Sequence, residues 1–241
     1  MTEEKTIQVE NRFCTIVISD EAEALLEAAA AGRASVGLWR PGGEDLPGTA
    51  YLAEPEAAGD PVFLERVARR FLGLPWVIAQ TDRLRIREFT EQDWRQVPAD
   101  ECLEEADQVF CRPELLRAYI RSQYRFYEYG IWAVEERDTG RLAGKAGVTN
   151  PQGIPEGETA VLELGYHIFR PYRRRGFGTE ACRAIEAYVR EEMPCRVCAK
   201  IDASNEASIR TALSCGLQFT GQIYSEAGRR MCLYAGNWTA R

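Results

Sequence analysis

The chain has 241 residues, 45% hydrophobic and 28% charged, the balance of an ordinary globular protein with material for one large core or two modest ones. Its net charge of −7 argues against a general nucleic-acid-binding face, which needs a positive field. No apolar run approaches the roughly 20 residues that span a bilayer. The opening Met-Thr-Glu-Glu-Lys lacks the basic-then-apolar order of a secretory signal. The expectation is a cytoplasmic protein with neither nucleic acid nor membrane as partner.

Charge is unevenly spread: residues 1–78 carry 7 Lys+Arg against 13 Asp+Glu, whereas residues 79–241 are nearly balanced at 23 against 24. This asymmetry suggests an accessory unit, 1–78, followed by a larger domain, 79–241. The first unit reads as strand, helix, strand, strand, helix. Residues 15–19 form a β-branched run ending at Asp20, a candidate helix cap. Ala22, Leu25, Leu26, Ala29 and Ala30 recur at helical spacing until Gly32. Residues 35–39 and 50–53 read as short strands. Phe63, Val67 and Phe71 share one face of a second helix ending at Gly73. This order loosely resembles the last third of a haloacid-dehalogenase-like Rossmann fold. That family's Asp-x-Asp nucleophile is absent, so the resemblance implies a docking fold without phosphatase activity; any small α/β unit is the alternative.

The second unit opens with Thr81-Asp-Arg-Leu-Arg-Ile-Arg, an alternating half-buried strand. Glu91-Gln-Asp-Trp begins a helical stretch, and Leu115, Leu116, Tyr119, Ile120 and Phe126 mark an amphipathic helix starting near Pro113. Residues 131–135 and 142–148 flank the turn signal Asp138-Thr-Gly. A strand (161–169), a helix (Ala181, Ile185, Tyr188, Val189), a strand (196–201), a helix (206–214) and a hairpin (219–223 and 230–234) complete the chain. The reading is an α/β (α+β) fold: a mixed, mostly antiparallel sheet flanked by helices, preceded by a small Rossmann-like α/β unit. Of the eight cysteines, Cys195 and Cys198 form a C-x-x-C. With no second pair and His167 the only histidine, the expectation is reduced thiols, many of them core filler, and no metal.

The segment with most chemistry is Arg173-Arg-Arg-Gly-Phe-Gly-Thr, lying between a strand and a helix. Gly176 and Gly178 remove side chains where a phosphate must approach the backbone and permit positive φ. Amides of the first helical turn, the helix dipole and Arg173, Arg174 and Arg175 all favour an anion there. Two glycines in such a turn also serve purely steric ends.

Arg173-x-x-Gly176-x-Gly178 resembles the pyrophosphate motif of the GNAT superfamily of acetyl-CoA-dependent N-acetyltransferases. Leu162-Glu-Leu-Gly-Tyr-His-Ile-Phe resembles that family's fourth strand. Asn205-Glu-Ala-Ser208 followed by Cys215-Gly-Leu resembles its Asn-x-x-Ser helix. The strand opening at Thr81 resembles the branch that acetylates protein amino termini, especially of ribosomal proteins.

The resemblance implies that the fourth and fifth strands splay, with pantetheine paired to backbone around Tyr166, His167 and Ile168. Amides of 174–179, Phe177 and Thr179 included, would hold the pyrophosphate, and Asn205 and Ser208 would bind the pantetheine arm or adenosine end. Asn205 also suits a plain helix N-cap. Glu163 is the candidate general base, with an exposed strand residue as the bland alternative. Glu163, Gly165 and His167 share a face by alternation, so His167 either assists or packs. Many family members carry a Tyr general acid seven residues after the Asn. Here that position is Ala212, which leaves Ser208, a water or no acid at all.

Three functions stay open at this level. One is acetyl transfer from acetyl-CoA to a peptide or protein N-terminal amine. The second has a small amine as acceptor: a polyamine, an antibiotic or an amino acid. The third is a non-catalytic acetyl-CoA sensor. Acceptor choice falls to the loops 98–110 and 151–159. The acidic run beginning at Asp100 could receive a polycation or form a solvated face.

Overall fold

The computed structural model describes residues 1–43, 45–102, 105–151, 160–193, 195–224 and 228–236. Its contacts divide the chain into two units. The first comprises 1–76 together with 120–128; the second comprises 77–119 and 129–241.

In the first unit, strands β1 (Thr2–Val9) and β2 (Arg12–Ser19) form an antiparallel hairpin. Helix α1 (Ala22–Ala30) then carries the chain to β3 (Ala34–Leu38), which is parallel to β2, and β4 (Leu52–Ala53) adds parallel to β3. The sheet order is β1-β2-β3-β4. Helices α2 (Pro55–Ala58) and α3 (Pro61–Phe71) follow. Asp60 caps α3 by accepting from the Val62 amide at 2.9 Å, and Pro61 occupies the first helical position, where its missing N–H costs nothing. Ile16, Ile18, Val36, Leu64 and Val67 form the centre of the core.

Several expectations are corrected here. β1 escapes the sequence reading because it is an edge strand of mostly polar residues with only Val9 buried. Asp20 does not cap α1; it turns to the amine of Met1. The buried face of α3 runs through Leu64, Val67 and Ala68, leaving Phe71 exposed. Phe126 is also exposed, since the helix α5 (Pro113–Tyr119) passes into a wider π turn at Ile120–Tyr124. That segment belongs to the first unit, where Glu128 accepts from Arg66 and from Arg70.

The second unit is an eight-stranded sheet, ordered β11-β12-β10-β9-β8-β7-β6-β5. In chain order its strands are β5 (Val77–Gln80), β6 (Leu84–Arg87), β7 (Ile131–Glu136), β8 (Arg141–Thr149), β9 (Val161–Ile168), β10 (Arg196–Asp202), β11 (Leu217–Tyr224) and β12 (Arg230–Gly236). The helices are α4 (Glu105–Cys111), α5, α6 (Phe177–Glu192) and α7 (Glu206–Ser214). Every neighbouring pair is antiparallel except β9–β10. This is a mixed, mostly antiparallel sheet flanked by helices. The stretch opened by Glu91 becomes a 3-10 turn, Asp93–Gln96. It is pinned because Asp93 accepts from the buried Arg87 at 2.7 and 3.1 Å, while Glu135 takes the Arg87 Nε at 2.8 Å. Among the described residues no helix is long and apolar enough to cross a membrane.

Side chains of β9 alternate between two environments. Tyr166 and Ile168 face α6, where their atoms approach Gly178. Glu163, Gly165 and His167 face the other way, where His167 meets Glu101. The β8 partner of His167 is Lys145, which binds Asp107 of α4 and stands over the Phe110 ring. All eight cysteines are free, and burial pushes the Cys198 thiol up to about 12, which leaves it a packing residue.

Candidate active site

β9 and β10 pair at only three positions, Val161–Arg196, Leu162–Val197 and Glu163–Cys198, and then part. Beyond that point β9 pairs with β8 and β10 with β12. The gap is a cavity of about 300 Å³. Leu164, Gly165 and Tyr166 line it from β9, and Ala199, Lys200 and Ile201 from β10. Asn205, Ser208 and Ala212 of α7 reach it from the helical side. An unpaired strand edge inside a sheet offers the alternating N–H and C=O groups that an amide-bearing chain can pair with.

At the C-terminal end of β9 lies the glycine loop. Arg174 has φ +60° and Gly176 has φ +82°, and Gly176 is the residue before α6. At Gly178 a Cβ would come 2.8 Å from the Tyr166 ring, so the missing side chain makes room for Tyr166. Among the described residues the amides of 174–179 have no backbone acceptor. The first turn of a 16-residue helix thus presents its free donors, together with the positive end of its dipole, beside an open cavity. These features fit a diphosphate attached to an amide-bearing arm.

The three arginines do not act as one patch. Arg173 donates from Nη2 to Glu101 at 2.6 Å and from Nε to the Ile168 carbonyl at 2.7 Å. Arg175 pairs with Glu136 and lies over the Phe177 ring, 4.4 Å from its centroid. Arg174 is exposed and makes no ion pair among the described residues, so it alone of the three brings an uncompensated charge to the loop.

Glu163 is partly buried and pairs with Lys200 at 3.0 Å. The pair stands where the strands part, and beside it Gly165 leaves open space, since a Cβ there would touch nothing within 4 Å. His167 keeps its Nε2 2.9 Å from Glu101 Oε2; because a carboxylate only accepts, Nε2 carries the proton and Nδ1 is the nitrogen left for any other use. Asn205 is the N-cap of α7, its Oδ1 accepting from the Ser208 amide at 3.1 Å, which leaves its amide nitrogen to donate. The Ser208 hydroxyl lies 3.2 Å from the Tyr166 hydroxyl. That phenol also donates to Thr211 at 3.3 Å, and Thr211 in turn lies 3.2 Å from Thr179 Oγ1. A string of four hydroxyls therefore lines the helical wall.

Sequence reasoning did not find Lys200, Glu101, Arg83 or the Tyr166 phenol. Arg83 donates to Glu180 and, at 2.8 Å, to the Arg175 carbonyl, and its guanidinium stacks 4.9 Å over Phe177. Burial alone would raise the Glu180 carboxyl, but Thr81 and Arg83 outweigh it and hold the group below its usual range. Alternation in Thr81–Arg87 hinted at Arg83 only as an exposed strand residue. Acceptor loop residues 152–159, and Leu103 and Glu104 in the other proposed loop, lie outside the described residues.

A strand pair that opens beside a helix N-terminus carrying free amides fits a diphosphate-bearing coenzyme with an amide-bearing arm. Comparison with known proteins narrows the class. Residues 83–218, more than half of the chain, match the model of the acetyltransferase (GNAT) domain. The chain belongs to the GNAT acetyltransferase family and is an N-acetyltransferase, for which acetyl-CoA is the co-substrate. It is 28% identical over 164 residues to the uncharacterized N-acetyltransferase YoaA of Bacillus subtilis, covering 61% of this chain and 85% of that one. A solved GNAT-family acetyltransferase from Bacillus anthracis superposes with a TM-score of 0.50 at 21% identity, covering 65% of this chain and 95% of that one. The ribosomal-protein-S5-alanine acetyltransferase of Vibrio fischeri superposes with a TM-score of 0.54 at 13% identity, covering 69% of this chain and 99% of that one.

Proposed function

We propose that this enzyme acetylates the α-amino group of a peptide or protein N-terminus in the cytoplasm. The reading rests on the parting of β9 from β10 directly after Glu163, which puts a carboxylate at the point where an arm paired to 164–168 would end. Backbone at Tyr166, His167 and Ile168 pairs with the pantetheine arm, amides of 174–179 hold the diphosphate, and Asn205 and Ser208 donate to the arm from α7.

The amine nitrogen attacks the thioester carbonyl carbon and passes its proton to Glu163, directly or through one water. Lys200, 3.0 Å away, orients that carboxylate. An α-amine with a pKa of about 7.7–8 needs little help, whereas a lysine amine near 10.4 needs far more. As the C–S bond breaks, its electron pair leaves on sulfur; the Ser208 hydroxyl donates a hydrogen bond to the thiolate where Ala212 cannot, and the proton that Glu163 took from the amine passes through water to solvent or sulfur.

The acidic run is a poor polycation dock. Asp100 pairs with Arg170 at 3.2 Å, Glu101 with Arg173, and Asp107 with Lys145. Residues 1–78 serve as an accessory docking domain of haloacid-dehalogenase-like build, which the parallel β2-α1-β3 unit supports.

Release of free thiol from acetyl-CoA, followed with N-terminal peptides, polyamines and single amino acids, tests the reading. Turnover on peptides with a free α-amine and none on N-blocked, lysine-bearing peptides is the expected result. Turnover on polyamines alone would overturn the acceptor assignment. Coenzyme A binding with no turnover on any acceptor would make the protein a sensor.

A further inference from the structure

Glu101 reaches the coenzyme loop from a 3-10 turn, Ala99–Glu101, that precedes the loop by about seventy residues in sequence. Its side chain is 3% exposed, and both oxygens are engaged. Oε1 accepts from the Arg170 backbone N–H at 2.7 Å; Oε2 accepts from Arg173 Nη2 at 2.6 Å and from His167 Nε2 at 2.9 Å. Burial alone would raise this carboxyl, but the Arg170 amide, His167 and the Arg173 guanidinium outweigh it and hold the group below the usual carboxylate range. Arg173 meanwhile ties the Ile168 carbonyl at 2.7 Å. The chain from Ile168 to Arg173 is therefore held at its beginning, middle and end by one buried anion and the arginine it binds. Immediately afterwards Arg174 adopts φ +60°, a left-handed conformation that is costly for a non-glycine residue and persists only where its surroundings impose it.

We infer that Glu101 is a positioning residue for coenzyme binding: its charge fixes residues 168–173 so that the amides of 174–179 face the diphosphate. The inference rests on the reading that this loop grips the coenzyme. Glu101 itself does not line the cavity: its side chain is buried and its two oxygens are held by Arg170, Arg173 and His167. Its effect belongs in the affinity for the coenzyme rather than in the acyl-transfer step.

The experiment is calorimetric titration with coenzyme A, together with steady-state kinetics, on the full chain, on Glu101→Gln and on Arg173→Lys. Gln keeps the shape and loses the charge. Lys keeps the charge but cannot reach both Glu101 and the Ile168 carbonyl with a planar fork. Each variant is expected to bind coenzyme A on the order of tenfold more weakly, the scale of one lost charge-assisted hydrogen bond. The KM for acetyl-CoA should rise by the same factor, with kcat at saturation nearly unchanged. In the double variant the losses should fall short of additive. Should Glu101→Gln fail to fold, Arg173→Lys carries the test. A folded Glu101→Gln protein with unchanged coenzyme affinity, or with reduced kcat and unchanged KM, overturns the inference alone. Wild-type protein that does not bind coenzyme A overturns the inference together with the coenzyme reading beneath it.

Discussion

Two parallel strand pairs in this molecule end differently. β2 and β3 stay in register from Ile16–Ala34 to Ser19–Gly37, and the polar group at that end is closed off: buried Ser19 lies 2.7 Å from the Thr2 hydroxyl and accepts from the Glu21 amide at 3.0 Å. β9 and β10 part after Glu163–Cys198, and the amides of 174–179 beyond them find no backbone acceptor among the described residues. Backbone groups kept from water are almost always paired. The first pair closes its polar groups on the protein; the second leaves them open, at the place where the proposed function puts the coenzyme. Beside the open pair, carboxylates at Glu101, Glu136 and Glu180 pair with Arg173, Arg175 and Arg83.

The comparison breaks if changes at the open pair leave the chemistry intact, or if changes at the closed pair disturb it. Glu163→Gln is expected to lower kcat by roughly 10²–10³-fold while leaving coenzyme A affinity unchanged, since it removes a general base but no coenzyme contact. Parallel calorimetry and turnover assays check both halves of that outcome. At the closed pair, Ile18→Ala should cost about 2–4 kcal/mol of stability through the cavity it leaves among fully buried neighbours. In denaturant titrations that loss should appear with no change in coenzyme A affinity at low denaturant.

Gly178→Ala sharpens the contrast, because helix propensity alone favours Ala by about 1 kcal/mol. The added Cβ meets the Tyr166 ring, so the expected result is instead roughly tenfold weaker coenzyme binding. Asn205→Ala removes the α7 cap and should cost about 1 kcal/mol in thermal or chemical unfolding, with a few-fold loss of coenzyme affinity if its free amide also reaches the arm.

The pH dependence of coenzyme binding gives the smallest signal. Glu101 has its carboxyl depressed in the folded protein, so its contribution is complete above the ordinary Glu value of about 4.3 and is lost as pH falls through the lower folded value. The part of the coenzyme A affinity owed to Glu101 should be constant from pH 7 down to about 5 and fall only below that; comparing the pH profiles of wild type and Glu101→Gln isolates it, since in the variant this acid fall should vanish.

Local signals carried a good deal of this protein. The helix expected over residues 206–214 is α7 at those residues, and the alternation of Glu163, Gly165 and His167 puts them on the face observed. The glycine loop was legible because its turn, its helix start and its free amides are properties of neighbouring residues. β1 was not, since an edge strand buries too little to need a hydrophobic pattern.

What the amino-acid order could not settle is which charges meet. The arginines at 173–175 read as one basic cluster, yet Glu101 and Glu136 claim two of them from strands and turns far along the chain. Lys200 reaches Glu163 only because β10 lies beside β9. Periodicity, turns and caps are set within a few residues and so can be read from sequence. The pairing of buried charges is set by which strands become neighbours, and only the folded sheet decides that.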